Sequence, residues 1–304
     1  MNTKTIAYFL TFSIVLGFSG VAQGATEDTR YLVKSNSGFW KKSFGVRHEF
    51  KDGFTSDLTA WQLRVAKVFN VEVVPVKKLF ILEESNLTGE VLGKTNQENE
   101  VEGRKPTPSP SRLVPSDQLP WGIEAIYGNN PLLIKPEGGT DVNVAVLDTG
   151  VFKDHSALKN RVSQCKDFTA AKQPIVDGKC DDKNGHGTHV AGIISADGGT
   201  DGKGVYGVAP ESKLFAYKVC DNSGSCWSDD VSMAIKTAAD QGAQVVNLSL
   251  GGDTESSLIS DAVSYAVSKN VLVVAAAGND GPDAASIDYP GANSDVIAVG
   301  ALDI

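Results

Sequence analysis

The stretches Val144-Ala145-Val146-Leu147-Asp148-Thr149-Gly150 and Asn184-Gly185-His186-Gly187-Thr188-His189-Val190-Ala191-Gly192 decide the reading of this 304-residue chain. The first is a short apolar run closed by an acidic residue and a glycine, the pattern of a strand buried on both faces. The second sets a histidine at a glycine-hinged helix start. Working outward, Val142 to Leu147 reads as a strand, His186 to Ala196 as a helix and Leu214 to Val219 as a strand. Ser228 is the expected cap of a helix with Asp229 and Asp230 in its first turn, where negative charge meets the positive end of the dipole. Val231, Ala234, Ile235 and Ala238 form its inward stripe and Gly242 ends it. Gln244 to Leu248 is a strand, and Ser257 to Lys269 a helix with Ile259, Ala262, Val263, Ala266 and Val267 inward. Val271 to Ala275 and Val296 to Val299 are strands. Helix-length segments between apolar strands make βαβ units, so the expected class is α/β, a parallel β-sheet with helices on both faces. Ligand sites in such sheets gather beyond the carboxyl ends of the strands. Asp148, Ser249 to Gly252 and Gly278-Asn279 all fall there.

The earlier part of the chain is organised differently. Residues 1–24 carry Lys4, an apolar run from Ile6 to Phe18, and Ala22 and Gly24 where a secretory signal is cut. The run is shorter than the roughly 20 apolar residues a membrane anchor needs. Residues 30–84 read as a small α+β unit. Strand-like runs lie at Tyr31 to Val33, Val71 to Val76 and Leu79 to Leu82, and a helix carries Leu58, Trp61, Leu63, Val65 and Val68 behind a cap at Thr55 or Ser56. Residues 85–118, with Lys105-Pro-Thr-Pro-Ser-Pro-Ser111, are an extended linker, and 119–304 form the α/β domain.

Charge and cysteines narrow the setting. Net charge is −9, and from Gln118 onward 13 basic side chains face 24 acidic ones. An acidic body argues against nucleic-acid and anionic-membrane partners. Cys165, Cys180, Cys220 and Cys226 follow an export signal, so disulfides are expected, and the local pairs Cys165–Cys180 and Cys220–Cys226 need the least rearrangement. Neither pair has the Cys-x-x-Cys spacing of a zinc ribbon.

An alcohol is a poor nucleophile at neutral pH unless a base takes its proton and a carboxylate orients that base. His186 is the candidate base and Asp148 the candidate orienter. Two other chemistries fit single features. His186 and His189 lie three residues apart on one helix face, as metal ligands can, but without a nearby third ligand or an intervening glutamate. Asp148-Thr149-Gly150 has the form of an aspartic-protease triplet, which needs a second copy that the 304 residues lack.

Together the two opening motifs resemble the subtilases, the subtilisin-like serine proteases, over Leu119 to Ile304. The resemblance implies a secreted endopeptidase acting on polypeptides by Ser-His-Asp acyl transfer, with residues 30–84 as a chaperone and inhibitor pro-region. It implies that Asn279, in Ala275-Ala-Ala-Gly-Asn-Asp-Gly-Pro282, donates to the oxyanion. It places substrate-binding roles on Ser249, Leu250 and Gly251, and on Ser225 across the cleft. The family's nucleophile motif, Gly-Thr-Ser-Met-Ala, occurs nowhere in the 304 residues, so the chain alone is expected to be inactive. The competing expectation is a catalytically inactive peptide-binding subtilase. No cofactor and no catalytic metal are implied. Calcium is left open as a structural ion near Asp197 to Gly204, with Ala157 where many members have a ligand aspartate.

Overall fold

The structure is a computed structural model describing residues 29–82, 118–128, 135–171, 173–199, 204–281 and 286–301. The expected leader lies outside the described residues, as does almost all of the linker. Among the described residues no helix is long and apolar enough to cross a membrane.

Seven strands form the main sheet: β6 (Asn143–Asp148), β7 (Val162–Asp167), β8 (Val176–Asp177), β9 (Lys213–Lys218), β11 (Val245–Leu248), β13 (Leu272–Ala276) and β14 (Ile297–Val299). Their spatial order is β14-β13-β11-β6-β9-β7-β8, and every pairing is parallel except β7 with β8. The chain runs from β6 outward to β7, returns to β9 between them, then crosses β6 to build β11, β13 and β14. The order therefore reverses beside β6, and such a switch point leaves a crevice beyond the strand ends. The bounds of the strands expected in this sheet differ from those observed by one residue at most.

Period-two alternation gives each face its own core. Val144 and Val146 of β6 pack with Leu158 and Ala191, whereas Ala145 and Leu147 join Val231, Ile235, Ala262 and Val263 on the other side. Helix α4 (His186–Ser195) covers the first face. Helices α5 (Ser228–Asp240) and α6 (Ser257–Ser268) cover the second. Full burial of one such valine or leucine contributes about 1.5–3 kcal/mol, so the stripes expected on α5 and α6 hold the layers together. Val267 is the exception, 39% exposed at the end of α6. Ser228 does not cap α5: it is the first helical residue, and its buried hydroxyl has no hydrogen-bond partner. The cap position belongs to Trp227.

Residues 29–82 build a second unit on a four-stranded sheet ordered β2-β3-β1-β4, from β1 (Arg30–Val33), β2 (Glu49–Phe50), β3 (Gly53–Asp57) and β4 (Val73–Pro75). Two helices pack on it, α1 (Gly38–Phe44) and α2 (Ala60–Val68). The expected caps Thr55 and Ser56 lie inside β3. The cap of α2 is Thr59, which completes a reciprocal capping box with Gln62. Of the residues in the expected helical pattern, Trp61 and Val68 are 53% and 79% exposed, while Leu58 is buried in the core together with Ala66.

The next strand, β5 (Lys78–Ile81), leaves this unit altogether. It is the middle strand of a three-stranded sheet between β10 (Ser225–Trp227) and β12 (Leu250–Gly251), antiparallel to both. Leu79 and Ile81 sink into the core of the larger domain.

Candidate active site

Asp148 closes β6 and is fully buried, while His186 opens α4 with its side chain 15% exposed. The ring Nδ1 lies 2.8 Å from Asp148 Oδ1 and 3.0 Å from Oδ2. Thr149 N donates to Oδ1 at 2.7 Å and steadies the carboxylate from the other side. With Nδ1 committed to the carboxylate, any proton exchange by the His186 ring would run through Nε2.

Close packing makes this contact. A Cβ at Gly187 would lie 2.1 Å from Gly150 O and 3.0 Å from Asp148 Oδ1, so only glycine lets α4 approach β6 this closely. Gly150 itself sits at φ +111°, where an L side chain is strained.

Asp182 is a residue whose importance the sequence reading missed. Its Oδ1 accepts from Asn184 N, Gly185 N and Thr149 Oγ1 at 3.0, 2.8 and 2.9 Å. Its Oδ2 accepts from Thr188 N at 3.0 Å and Thr188 Oγ1 at 2.5 Å. Burial alone would push this carboxyl up, but the bonds from Thr188, Gly185 and Thr149 outweigh it and hold its pKa below the usual carboxylate range. An aspartate just before the Asn-Gly-His helix start is a readable signal for such a clamp. Lys218 lies below the site, its Nζ donating to Thr149 O at 2.6 Å. Burial lowers its pKa against the pull of Asp167, Asp182, Asp221 and Asp148.

The four candidate substrate-binding residues are all brought together along β5. Ser225 and Gly251 flank Phe80 from opposite sides, Leu250 lies opposite Ile81, and Ser249 O accepts from Leu82 N at 3.4 Å. Gly224 O accepts from Ile81 N at 2.9 Å, and a Cβ at Gly224 would press on Ile81 Cγ1 at 2.6 Å. Asn279 is exposed just beyond β13, next to Gly278 at φ +106°. The disulfides join Cys165 to Cys180 and Cys220 to Cys226, and the second anchors Cys226 in the middle of β10.

A buried ionic patch fixes the smaller unit against α5. Arg30 Nη1 donates to Asp229 Oδ1 at 3.1 Å and Asp230 Oδ2 at 2.8 Å. Thr55 Oγ1 donates to Asp229 Oδ2 at 2.7 Å, and His48 Nε2 lies 2.8 Å from Asp230 Oδ1. Burial opposes the charge on Arg30, yet Asp229 and Asp230 outweigh it and raise its pKa. Burial also lifts the Asp230 carboxyl above its ordinary range despite His48 and Arg30. The acidic first turn of α5, read as a dipole effect, is thus also a docking patch. Near Asp197 the described oxygens are engaged: Gln118 Nε2 donates to Gly198 O at 2.5 Å and Gly204 O at 2.6 Å, and Asp197 Oδ2 lies 3.5 Å from Arg161 Nε. No ion is assigned there.

A carboxylate-held histidine at the switch point of a parallel sheet, beside rims that grip an extended strand, is an arrangement that serine hydrolases on α/β folds use. The subtilase family profile matches residues 139–304, and the chain belongs to that family of serine-type hydrolases. It is 43% identical over 295 residues to a subtilisin of Bacillus sp. (strain TA39), covering 94% of this chain and 65% of that one. It is 39% identical over 191 residues to an intracellular serine protease of Paenibacillus polymyxa, covering 61% and 56%. Among solved structures, sphericase matches with TM-score 0.58 and 54% identity over 60% of each chain. The S41 psychrophilic protease matches with TM-score 0.57 and 52% identity, again over 60% of each. The chain spans about two thirds or less of the length of these relatives.

Proposed function

We propose that this chain is the precursor form of a secreted endopeptidase that hydrolyses polypeptides by acyl transfer. Residues 30–84 are its inhibitory pro-region. The observation that carries the reading is the Asp148–His186 contact at the mouth of a cleft whose rims already hold an extended segment. In this mechanism His186 Nε2 takes the proton of a serine hydroxyl as that oxygen attacks the substrate carbonyl, and Asp148 steadies the imidazolium. Negative charge on the carbonyl oxygen is met by the Asn279 side-chain amide. His186 then returns the proton to the leaving amine. Substrate backbone pairs with β10 and β12 as β5 does, so affinity comes from main-chain hydrogen bonds and selectivity from side-chain pockets. The acidic body and the export signal support secretion and argue against nucleic-acid partners.

A second reading is a peptide-binding subtilase without acyl transfer, which the extended strand β5 held between β10 and β12 would equally suit. Expressing the whole reading frame decides between them. Casein hydrolysis that falls by about 10⁴-fold in Asp148→Asn and is abolished in His186→Ala supports the enzyme. Hydrolysis indifferent to both substitutions, or none at all, supports the binding protein. The 304-residue product should show no hydrolysis that depends on His186.

A further inference from the structure

Three carboxylates converge at the cleft and take no part in the chemistry above. Asp253 and Asp280 are exposed, Asp288 is only 6% exposed, and one ligand atom of each lies within 4.8 Å of the others. The backbone fixes Asp288 in place. Its N–H donates to Ala277 O at 2.9 Å, and the adjacent Tyr289 exchanges two hydrogen bonds with Gly252 at 2.9 and 3.0 Å. Its carboxylate faces a wall without side chains: a Cβ at Gly278 would lie 2.8 Å from Oδ2, and one at Gly251 would lie 3.0 Å from it. Among the described residues the charged groups that act on this carboxylate are the acidic Asp280 and Asp253. Burial, then Asp280 and Asp253, raise its pKa. A largely buried carboxylate beside two others is held unfavourably as the anion, and a cationic ligand would relieve it.

The sheet shows where that ligand comes from. Directly opposed residues of an antiparallel pair share a face, and so do alternate residues along one strand. Phe80 lies opposite Gly251, so Phe80 and Leu82 project to the face on which the Gly251 Cβ would meet Asp288. Leu79 and Ile81 project to the other face, into the core. Leu82, bonded to Ser249 O, is a diagonal neighbour of Gly251, roughly 7–8 Å away. A lysine or arginine side chain spans that distance, and a leucine does not. The lysines of the bound strand are turned elsewhere: Lys77 Nζ donates to Glu255 O at 2.6 Å, and Lys78 Nζ lies 4.4 Å from the centre of the Trp227 ring.

We propose that Asp288, supported by Asp253 and Asp280, selects a lysine or arginine side chain in an extended peptide, at the strand position that Leu82 occupies here. This deepens the reading of the cleft as a peptide site and rests on it. A guanidinium would meet the carboxylate through two parallel hydrogen bonds. A hard divalent cation is the competing occupant, but it takes six to eight oxygen ligands and the trio supplies three side chains.

The test reads stability rather than turnover, so it stands apart from whether the protein hydrolyses anything. Leu82→Arg and Leu82→Gln are made in the 304-residue chain, each with Asp288 and with Asp288→Asn, and melted with and without calcium chloride. Leu82→Arg should melt roughly 2–4 °C above Leu82→Gln when Asp288 is present, and less than about 1 °C above it with Asp288→Asn. Asp288→Asn alone should melt no lower than the parent, since it removes an anion held unfavourably beside two others. Equal midpoints for the arginine and glutamine variants, the same gain without Asp288, or a less stable Asp288→Asn would each overturn the proposal. Calcium raising the parent but not Asp288→Asn, with no gain from arginine, would give the trio to a metal instead.

Discussion

Thr149 and Asp182 meet side chain to side chain, Thr149 Oγ1 donating to Asp182 Oδ1 at 2.9 Å across 33 positions of sequence. The same hydroxyl oxygen accepts from Gly187 N at 3.0 Å. Thr149 follows Asp148 and Gly187 follows His186, so this second pair ties together the two backbones that carry the first. The Asp148–His186 distance is a property of the clamp as much as of the two side chains.

Removing the clamp should therefore cost stability with a defined pH signature. Asp182→Ala is expected to lose about 2 kcal/mol at neutral pH, as for loss of a strong helix cap with further donors left unpaired. Because folding lowers the Asp182 pKa, its contribution is fully present above the ordinary carboxylate value near 3.8 and fades as pH falls through the lowered one. Urea unfolding at pH 7 and at pH 3 checks this. A gap between parent and variant that widens in acid would contradict it.

Gly187→Ala is expected to be worse than its one added methyl suggests. The new Cβ would have to displace Gly150 O, backbone that sits 2.1 Å from its position, so α4 must slide from β6. A loss of about 3 kcal/mol, the upper end of the usual overpacking range, is expected, together with loss of the low-field proton resonance of the His186–Asp148 bond. A stable variant that keeps that resonance would show that the helix has room to move.

The docking patch makes a third prediction. Arg30→Ala leaves Asp229 and Asp230 buried with less compensation, a change that typically costs about 3–5 kcal/mol. Hydrogen exchange in β5 and in α5 should then rise together. Arg30→Lys should recover only part of the loss, since an ammonium lacks the second nitrogen with which Arg30 Nε also reaches Asp57 at 3.4 Å. Protection unchanged in Arg30→Ala would mean that β5 alone holds the units together.

Tryptic mapping of oxidised protein should return Cys165–Cys180 and Cys220–Cys226 and neither crossed pair. The first closes a loop of 15 residues, for which the chain-entropy model gives about 3 kcal/mol. Reduction should lower the urea midpoint by an amount that Cys165→Ala with Cys180→Ala reproduces in part. Four free thiols in folded, air-oxidised protein would refute the pairing.

The main sheet was legible because β6, β9, β11 and β13 are apolar runs, buried on both sides in β6 and β9 and on one side in β11 and β13, and nothing competes with that signal. Strand β7, Val162-Ser-Gln-Cys-Lys-Asp167, was not: its residues are only partly buried and its pattern carries no apolar run. Strands β10 and β12 are three and two residues long, and they are strands only because β5 lies between them, a pairing across more than 140 positions that no local pattern encodes. The pairing of Asp148 with His186 was readable from motif and chemistry. Asp288 was passed over because an aspartate beside Tyr-Pro reads as loop until Gly251 and Gly278 are seen folded against it.

Strands β10 and β12 are not paired with each other; within their sheet each pairs with β5. Neighbouring strands in a sheet stand about 4.8 Å apart, so the two rims are separated by roughly 9.6 Å, the width of a single extended chain. A helix with its side chains is about 10–12 Å across and keeps its amides to itself, so it can neither enter that slot nor pair with its edges. What the slot admits is polypeptide already pulled straight. Folded targets would be read at their loops and frayed termini, and their own local unfolding equilibria would set how fast they are taken.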